Sequence, residues 1–187
     1  MNKFCKVGGV FLCAIVSGAL LTACQGNGST NSSAALSTGA KVLPVASNPI
    51  QNNSTVSGLI ITNAMAENNI DPATNQPIPD CLQLELRNTA NQPMNSFEIY
   101  YKMTDSKTGA AENYYQRLPG LSLAPGQTTT IFFDNQKSAG HYPENKYSIY
   151  RTSSNEVRFT IELSTPGFKP AFSQAIKGPG TGENSSQ

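Results

Sequence analysis

Residues that could do acid–base or metal chemistry are few in this sequence. His141 is the only histidine and lies in Gly140-His141-Tyr142-Pro143, inside an irregular stretch. A serine hydrolase would need it as general base, yet no nucleophile-elbow pattern supplies a matching serine. One histidine and the distant Cys81 cannot fill the four positions around a structural zinc ion. We therefore expect an exposed loop histidine, no bound metal, no cofactor and no enzyme activity.

A polar loop offers oxygen atoms of the kind that calcium binds. Asp71-Pro72-Ala73-Thr74-Asn75 and Asp80 fall in one predicted loop, and Ca²⁺ takes carboxylate and amide oxygens. The spacing does not match an EF-hand, and Asp-Pro and Asn are ordinary turn formers. The sequence favours a plain turn here and leaves calcium binding open.

Three tyrosines can contribute to a ligand-binding surface. Tyr100 alternates to the polar face of its predicted strand together with Lys102, and Tyr114 or Tyr115 can join it from the next strand. Sugars stack on such aromatic platforms, but the chain has no tryptophan, and cross-strand tyrosine pairs also stabilise sheets without a ligand. Tyr100, Tyr114 and Tyr115 are the possible ligand-binding residues, although a structural role is favoured.

The elements that must position these residues are strands. Leu82-Gln83-Leu84-Glu85-Leu86 alternates between apolar and polar residues, which is typical of a half-buried antiparallel strand. The same pattern runs through residues 97–104 and 156–163, and weaker runs lie at 58–65, 112–118, 128–134 and 171–177. No stretch has sustained helical periodicity. The sequence therefore predicts an all-β fold, an antiparallel β-sandwich of about seven strands joined by Gly- and Pro-containing turns.

Two passages resemble bacterial extracytoplasmic immunoglobulin-like domains. Leu121-Ser122-Leu123-Ala124-Pro125-Gly126-Gln127-Thr128 is similar to the turn that precedes a strand in many of them. Leu84-Glu85-Leu86-Arg87-Asn88-Thr89 is similar to their hairpin of strand, asparagine, loop and strand, and more distantly to cellulose-binding sandwich modules. The resemblance implies an immunoglobulin-like β-sandwich and does not fix a function.

The start of the chain carries the most specific motif. Lys3 and Lys6 precede an apolar run from Val7 to Leu21; a positive start with an apolar core of about 15 residues is typical of a signal peptide and short for a bilayer span. The run closes in Leu21-Thr22-Ala23-Cys24, which resembles the lipobox of bacterial lipoproteins. The resemblance implies cleavage before Cys24, acylation of that cysteine and attachment of the mature chain to a membrane surface.

The residue after the cysteine bears on localisation in the same family. Gln25, which is not an aspartate, implies the outer membrane if the source is Gram-negative. In a source with one membrane, the anchor would lie on the outer face of the cell membrane. The sequence leaves these two alternatives open.

Processing at Cys24 would also change the cysteine count. Cys5 and Cys13 would leave with the signal peptide, so Cys81 would be the one unmodified cysteine of the mature chain and no intramolecular disulfide could form. Alternation assigns Cys81 to the polar face, and the sequence leaves open whether it is inert under a loop or joins two chains. No basic neighbour activates it for catalysis.

Composition divides the chain into four parts. Residues 1–23 are the signal peptide, 24–55 a polar lipid-anchored tether, 56–177 the β-sandwich and 178–187 a flexible tail. The formal net charge is +1, without the basic excess that nucleic-acid binding needs, so nucleic acid is not expected as a partner. The leading prediction is a non-enzymatic, lipid-anchored module for a protein partner. The alternatives are a carbohydrate-binding module and an enzyme that uses His141.

Overall fold

The computed structural model describes residues 42–70, 73–76, 78, 80–180 and 182. Across these ranges the chain forms nine strands and one short helix. The strands are β1 (Leu43–Pro44), β2 (Leu59–Ala66), β3 (Leu82–Asn88), β4 (Phe97–Asp105), β5 (Ala111–Leu118), β6 (Thr128–Phe133), β7 (His141–Tyr142), β8 (Val157–Ser164) and β9 (Ala171–Lys177), and the helix α1 is Ile149–Thr152. The all-β prediction is confirmed, and each of the seven predicted segments forms a strand. The predicted signal peptide, Cys24 and Asp71 lie outside the described residues.

The strands form two sheets around one hydrophobic core. The five-stranded sheet has the order β1-β5-β4-β8-β9, and the four-stranded sheet has the order β2-β3-β6-β7. Neighbouring strands are antiparallel except β6 and β7, which are parallel. Leu84 and Leu86 of one sheet and Ile99 and Leu163 of the other are fully buried in the same core. Burying one such side chain contributes about 1.5–3 kcal/mol, so the alternation that the sequence displays is the main source of stability.

The folded part begins before residue 56, inside the segment assigned to the tether. β1 pairs with β5. Farther along, the side-chain amide of Asn52 lies within hydrogen-bond distance of Ser164 Oγ (2.9 Å) and of the carbonyl oxygens of Thr165 (3.1 Å) and Phe168 (2.9 Å). The polar composition of residues 24–55 predicted a tether. A segment without an apolar face can still be attached to the domain when a polar side chain such as Asn52 binds backbone carbonyls. In the described ranges no helix is long and apolar enough to cross a membrane.

Asn88 joins the two passages that the sequence singled out. It is fully buried at the end of β3, and its Nδ2 donates to the carbonyls of Gln92 (2.8 Å) and Leu123 (3.0 Å). Its Oδ1 accepts the backbone N–H of Ala90 (2.9 Å). Met94 and Leu123 exchange backbone hydrogen bonds of 2.9 Å in both directions. One side chain therefore fastens the β3–β4 loop to the turn before β6.

Asp105 also joins two segments by hydrogen bonds, at the β4–β5 hairpin. One carboxylate oxygen accepts the backbone N–H groups of Lys107 (2.9 Å) and Thr108 (2.8 Å), and the other accepts the hydroxyl of Ser153 (2.6 Å). The hydrogen bonds from Ser153, Asn155 and the turn hold the pKa of Asp105 well below its ordinary value of 3.8. The hairpin is thereby tied to the segment that follows α1.

Replacing Asn88 by alanine should lower the free energy of unfolding by about 2–4 kcal/mol, because its fully buried side chain would lose three hydrogen bonds to backbone groups. Urea unfolding of the full chain measures the change. Asn91→Ala is the matched control, because Asn91 is exposed in the same loop and should cost less than about 0.5 kcal/mol. Equal costs for the two variants would contradict the role given to Asn88.

Candidate functional site

The three predicted ligand-binding tyrosines lie on two different faces of the five-stranded sheet. Tyr100 and Tyr115 stand directly opposite each other on β4 and β5, and both are half-buried on the outer face. Tyr114 is 4% exposed and faces the core, where its ring stacks on that of Tyr101 with 5.6 Å between centroids. Consecutive strand residues point to opposite faces, so only one of Tyr114 and Tyr115 can share a surface with Tyr100.

Strand register aligns one row of side chains across the whole outer face. Leu43 pairs with Tyr115, Tyr115 with Tyr100, Tyr100 with Glu162 and Glu162 with Phe172. We call these five residues the outer-face row. With strands about 4.8 Å apart, it spans about 19 Å. Its two ends are exposed and apolar, since Leu43 is 45% and Phe172 65% exposed.

The two tyrosines of the row are held by hydrogen bonds to diagonal neighbours. Tyr115 donates its hydroxyl to Glu98 Oε2 (2.7 Å), and Tyr100 donates to Asn113 Oδ1 (3.1 Å). Burial raises the pKa of both phenols, helped by the charge of Glu162 at Tyr100 and by the bond to Glu98 at Tyr115. Both hydroxyls therefore stay protonated and the rings keep fixed positions, which lowers the entropy cost of binding to them.

Glu162 adds a negative charge beside the tyrosines. Partial burial raises the pKa of its carboxyl above the ordinary 4.5. The hydrogen bond from Asn48 Nδ2 (2.6 Å) opposes this shift, and the nearby charge of Glu98 adds to it. Among the described residues, the ion pairs within 4 Å do not include Glu162. A cation brought by a partner would offset the cost of burying this charge and the repulsion from Glu98.

Tyr114 contributes to a separate groove at the edge of the same sheet. The groove has a volume of about 420 Å³ and is also lined by Pro44 and Tyr147. Tyr114 donates its hydroxyl to Glu112 Oε2 (3.0 Å) and accepts the side-chain amide of Asn145 (2.7 Å). The structure therefore does not bring the three tyrosines into one platform.

His141 is not the exposed loop residue that the sequence indicated. It forms β7 and pairs with Phe132 of β6, on whose ring it stacks with 4.8 Å between centroids. Its Nδ1 lies 2.8 Å and 3.0 Å from the two carboxylate oxygens of Asp134, and the side chains are only 12% and 6% exposed. Sequence reasoning missed Asp134 because the chain leaves β6 and returns beside it, which periodicity does not reveal.

Cys81 is buried, with its Sγ 3.3 Å from Glu67 Oε2, and it takes part in a disulfide bond. A disulfide sulfur has no proton to donate, so the approach to Glu67 is a contact only. The prediction of one unmodified cysteine concerns a chain cleaved before Cys24 and acylated there, so this disulfide of the unprocessed chain does not test it. It assumed that processing removes or acylates the other three, whereas Cys5, Cys13 and Cys24 all belong to this 187-residue chain, outside the described residues.

The loop considered for calcium is only partly described. Asp80 is buried, and its Oδ1 accepts the backbone N–H of Asn69 at 2.6 Å. In the residues that the structure covers, no group of three or more His, Cys, Asp and Glu side chains could hold a metal ion. Asp80 thus has a structural role in closing the loop.

Comparisons with known proteins give no family for this chain. No family model matches it, and no curated protein matches it. A solved structure with some likeness is the Pseudomonas fluorescens alkylpurine DNA glycosylase AlkC bound to DNA containing an abasic site analog, with a TM-score of 0.32 and 15% identity. The match covers 66% of this chain, which spans 30% of that one.

This neighbour corrects two of the sequence-based predictions. It is a DNA-binding enzyme, so the statements that the chain is not an enzyme and has no nucleic-acid partner are contradicted and are not kept. Both rested on absences, namely a missing nucleophile motif and a missing basic excess. A likeness at a TM-score of 0.32 carries no argument for DNA binding or glycosylase activity in this chain.

The raised pKa of Glu162 predicts a pH-dependent effect of Glu162→Gln. The folded protein binds this proton more tightly than the unfolded chain, so the contribution of Glu162 to stability falls as pH rises above its ordinary pKa of 4.5. The glutamine variant should therefore gain stability relative to the parent between about pH 4 and pH 7. Urea unfolding at several pH values measures the difference.

Glu156→Gln is a control of opposite sign. Hydrogen bonds from Arg158 and Ser106 lower the pKa of Glu156, so its contribution to stability is present at neutral pH and is lost on acidification. Its glutamine variant should be less stable than the parent above about pH 4.5, and this difference should shrink as pH falls below 4.5. The same trend in both variants would contradict this description of the outer face.

Proposed function

We propose that this chain is a lipid-anchored protein of the bacterial cell envelope that presents an immunoglobulin-like β-sandwich as a binding module for a protein partner. The anchor is supported by Leu21-Thr22-Ala23-Cys24 at the end of a short apolar segment that starts with Lys3 and Lys6. The lipid on Cys24 is the membrane contact. Gln25 favours the outer membrane in a Gram-negative source, and a source with one membrane would carry the protein on the outer face of the cell membrane.

The strand connections support the immunoglobulin-like architecture. The pairs β2–β3, β4–β5, β6–β7 and β8–β9 each stay within one sheet, whereas the chain changes sheet after β1, β3, β5 and β7. As a result, β3 lies beside β6 and β4 lies beside β8, although neither pair is consecutive. Such crossings between two antiparallel-rich sheets are typical of Greek-key sandwiches of the immunoglobulin type.

The observation that carries the binding proposal is the outer-face row. Two exposed apolar ends, Leu43 and Phe172, flank two fixed tyrosines and the negative Glu162. With β4 about 27 Å long and the row about 19 Å wide, the face covers about 500 Å², a large part of the roughly 800 Å² that each partner buries in a standard interface.

The chemistry of the face favours a protein over a glycan. Both tyrosine hydroxyls already donate to Glu98 and Asn113, so they are not available as donors to sugar hydroxyls. A protein segment with apolar side chains and one basic group would instead cover Phe172 and neutralise Glu162. The feature that favours a glycan is the adjacency of Tyr100 and Tyr115 beside carboxylates, on which a sugar ring could stack.

Lipidation predicts a specific mass for the mature protein. Intact-mass analysis should find a chain that begins at Cys24 and carries acyl groups, because acylation and cleavage occur at the lipobox cysteine. Cys24→Ser should retain residues 1–23 and carry no acyl group. A disulfide between Cys24 and Cys81 excludes acylation of Cys24, so finding that linkage in the mature protein, or a mature chain that begins elsewhere, would reject the anchor.

Photo-crosslinking in cells tests the binding face. A photoreactive amino acid at position 172 should give a discrete protein adduct, because Phe172 is exposed at the end of the row. Position 60 is the matched control, because Ile60 is also exposed and apolar, at 42%, but belongs to the other sheet. Adducts at both positions, or at neither, would count against a specific protein partner on the outer face.

A glycan array probed with the full chain tests the carbohydrate-binding alternative. Binding to a polysaccharide that is lost in Tyr100→Ala, together with no protein adduct at position 172, would replace the protein partner by a glycan. No binding across the array would remove the carbohydrate-binding alternative.

A further inference from the structure

We propose that a pocket beside β6 binds a neutral, hydroxyl-bearing small molecule of monosaccharide size, and that His141 supplies its central hydrogen-bonding group. The pocket, called here the His141 pocket, has a volume of about 330 Å³. It lies between the segments 119–122 and 138–142, with residues 129–131 of β6 at its base. Its size falls at the small end of the range for small-molecule sites in proteins.

The hydrogen bond to Asp134 decides which nitrogen of His141 can meet a ligand. A carboxylate only accepts hydrogen bonds, so Nδ1, at 2.8 Å from Asp134 Oδ2, carries a proton. In the described part of the chain, the hydrogen bonds of this ring all involve Nδ1. Nε2 is therefore the nitrogen left for a ligand, and in the neutral ring it accepts a hydrogen bond. Asp134 and the stacked Phe132 fix the orientation of the ring, as a second-layer carboxylate does for other histidines that bind ligands.

The other lining groups favour a ligand without charge. Among the described residues, the ionisable ones that line the pocket are His141 and Tyr142, and the hydroxyl of Tyr142 donates to the carbonyl of Pro119. Four of the lining residues carry a hydroxyl group, and within the described residues none of these hydroxyls makes a side-chain hydrogen bond; they are Ser122, Thr129, Thr130 and Ser138. Pro119 and Ala139, which are exposed, add apolar surface. A sugar ring matches this mixture, because it presents hydroxyl groups at its rim and C–H groups on its faces.

The backbone keeps the pocket open. β7 pairs only with Phe132 and Phe133, so among the described residues no strand pairs with the earlier part of β6 on this side. The chain returns through Gly140, whose φ of +80° suits glycine. A Cβ at this position would lie 3.4 Å from the carbonyl oxygen of Thr130. A larger residue there would strain the turn and narrow the space beside β6.

The His141 pocket is separate from the outer-face row. The row belongs to the five-stranded sheet, whereas β6 and β7 belong to the four-stranded sheet. The proposal therefore does not rest on the function proposed above, and either one can fail alone.

Nuclear magnetic resonance of the full chain tests the pocket, because the chain contains one histidine and every imidazole signal comes from His141. The probes are glucose, galactose and N-acetylglucosamine, each titrated to about 50 mM, a range that detects millimolar dissociation constants. At least one sugar should shift the Nε2 signal saturably, with accompanying shifts in the backbone amides of Thr130 and Ser138.

Two variants and one control sharpen the test. His141→Phe, followed through the backbone amides, should weaken binding about tenfold or more by removing the acceptor. Ser138→Leu should abolish binding by filling the pocket, and it keeps the test valid if the histidine variant does not fold. Phe172→Ser, on the outer face, should leave binding unchanged.

The proposal is overturned if none of the three sugars gives a saturable shift of Nε2. It is also overturned if the shifted amides lie along the outer-face row, or if folded His141→Phe and Ser138→Leu proteins bind as tightly as the parent. If no protein crosslinks at position 172 but a sugar binds beside His141, the proposed protein partner is rejected and the proposal for the His141 pocket is kept.

Discussion

The alternation of side chains along β4 is the constraint on which the rest of the structure depends. β4 pairs along almost its whole length with β5 on one side and with β8 on the other, so its register decides the register of both. Ile99 and Tyr101 point into the core, and this sends Glu98, Tyr100 and Lys102 to the outer face. A slip by one residue would exchange the two sets. The same register that builds the core therefore also builds the outer-face row.

Polar side chains form hydrogen bonds with backbone groups that the two sheets do not pair. Asn88 fastens one loop, Asp105 a hairpin and Asn52 the segment before β2, in each case by hydrogen bonds to backbone groups. These groups lie at strand ends, where the regular ladder no longer pairs them, and leaving them buried and unpaired would be costly. Charged residues make up 13% of the sequence, and neutral amides and a few carboxylates make most of these hydrogen bonds.

Periodicity predicted the seven main strands because each has at least six residues, and the alternation of buried residues is regular in β3 and β4. It missed β1 and β7, which have two residues each and therefore no period to detect. It placed Tyr100 beside Tyr114 or Tyr115 on the next strand but could not choose between these two, because the choice depends on a register that the turn sets. The alignment of Leu43, Glu162 and Phe172 with them depends on pairings between distant segments.

The pair of His141 and Asp134 illustrates a second limit of sequence reasoning. The two residues are seven positions apart in a stretch without regular alternation, and only the return of the chain through Gly140 brings them together. Asn88, by contrast, belongs to a hairpin that the sequence predicted, but its hydrogen-bond partner Leu123 lies 35 positions away. The sequence motif identified Asn88, but only the tertiary structure shows which backbone groups it binds.

The short pairing of β1 has a mechanical consequence for a protein held by its N-terminal side, as proposed. A pulling force along the chain would reach the domain first at Leu43, where β1 has two residues and few bonds share the load. Once β1 peels away, the force meets Asn48 and Asn52, whose side chains bind residues of β8 and the loop after it. The N-terminal segment can thus yield under tension and lengthen the reach of the module while the core of both sheets stays folded.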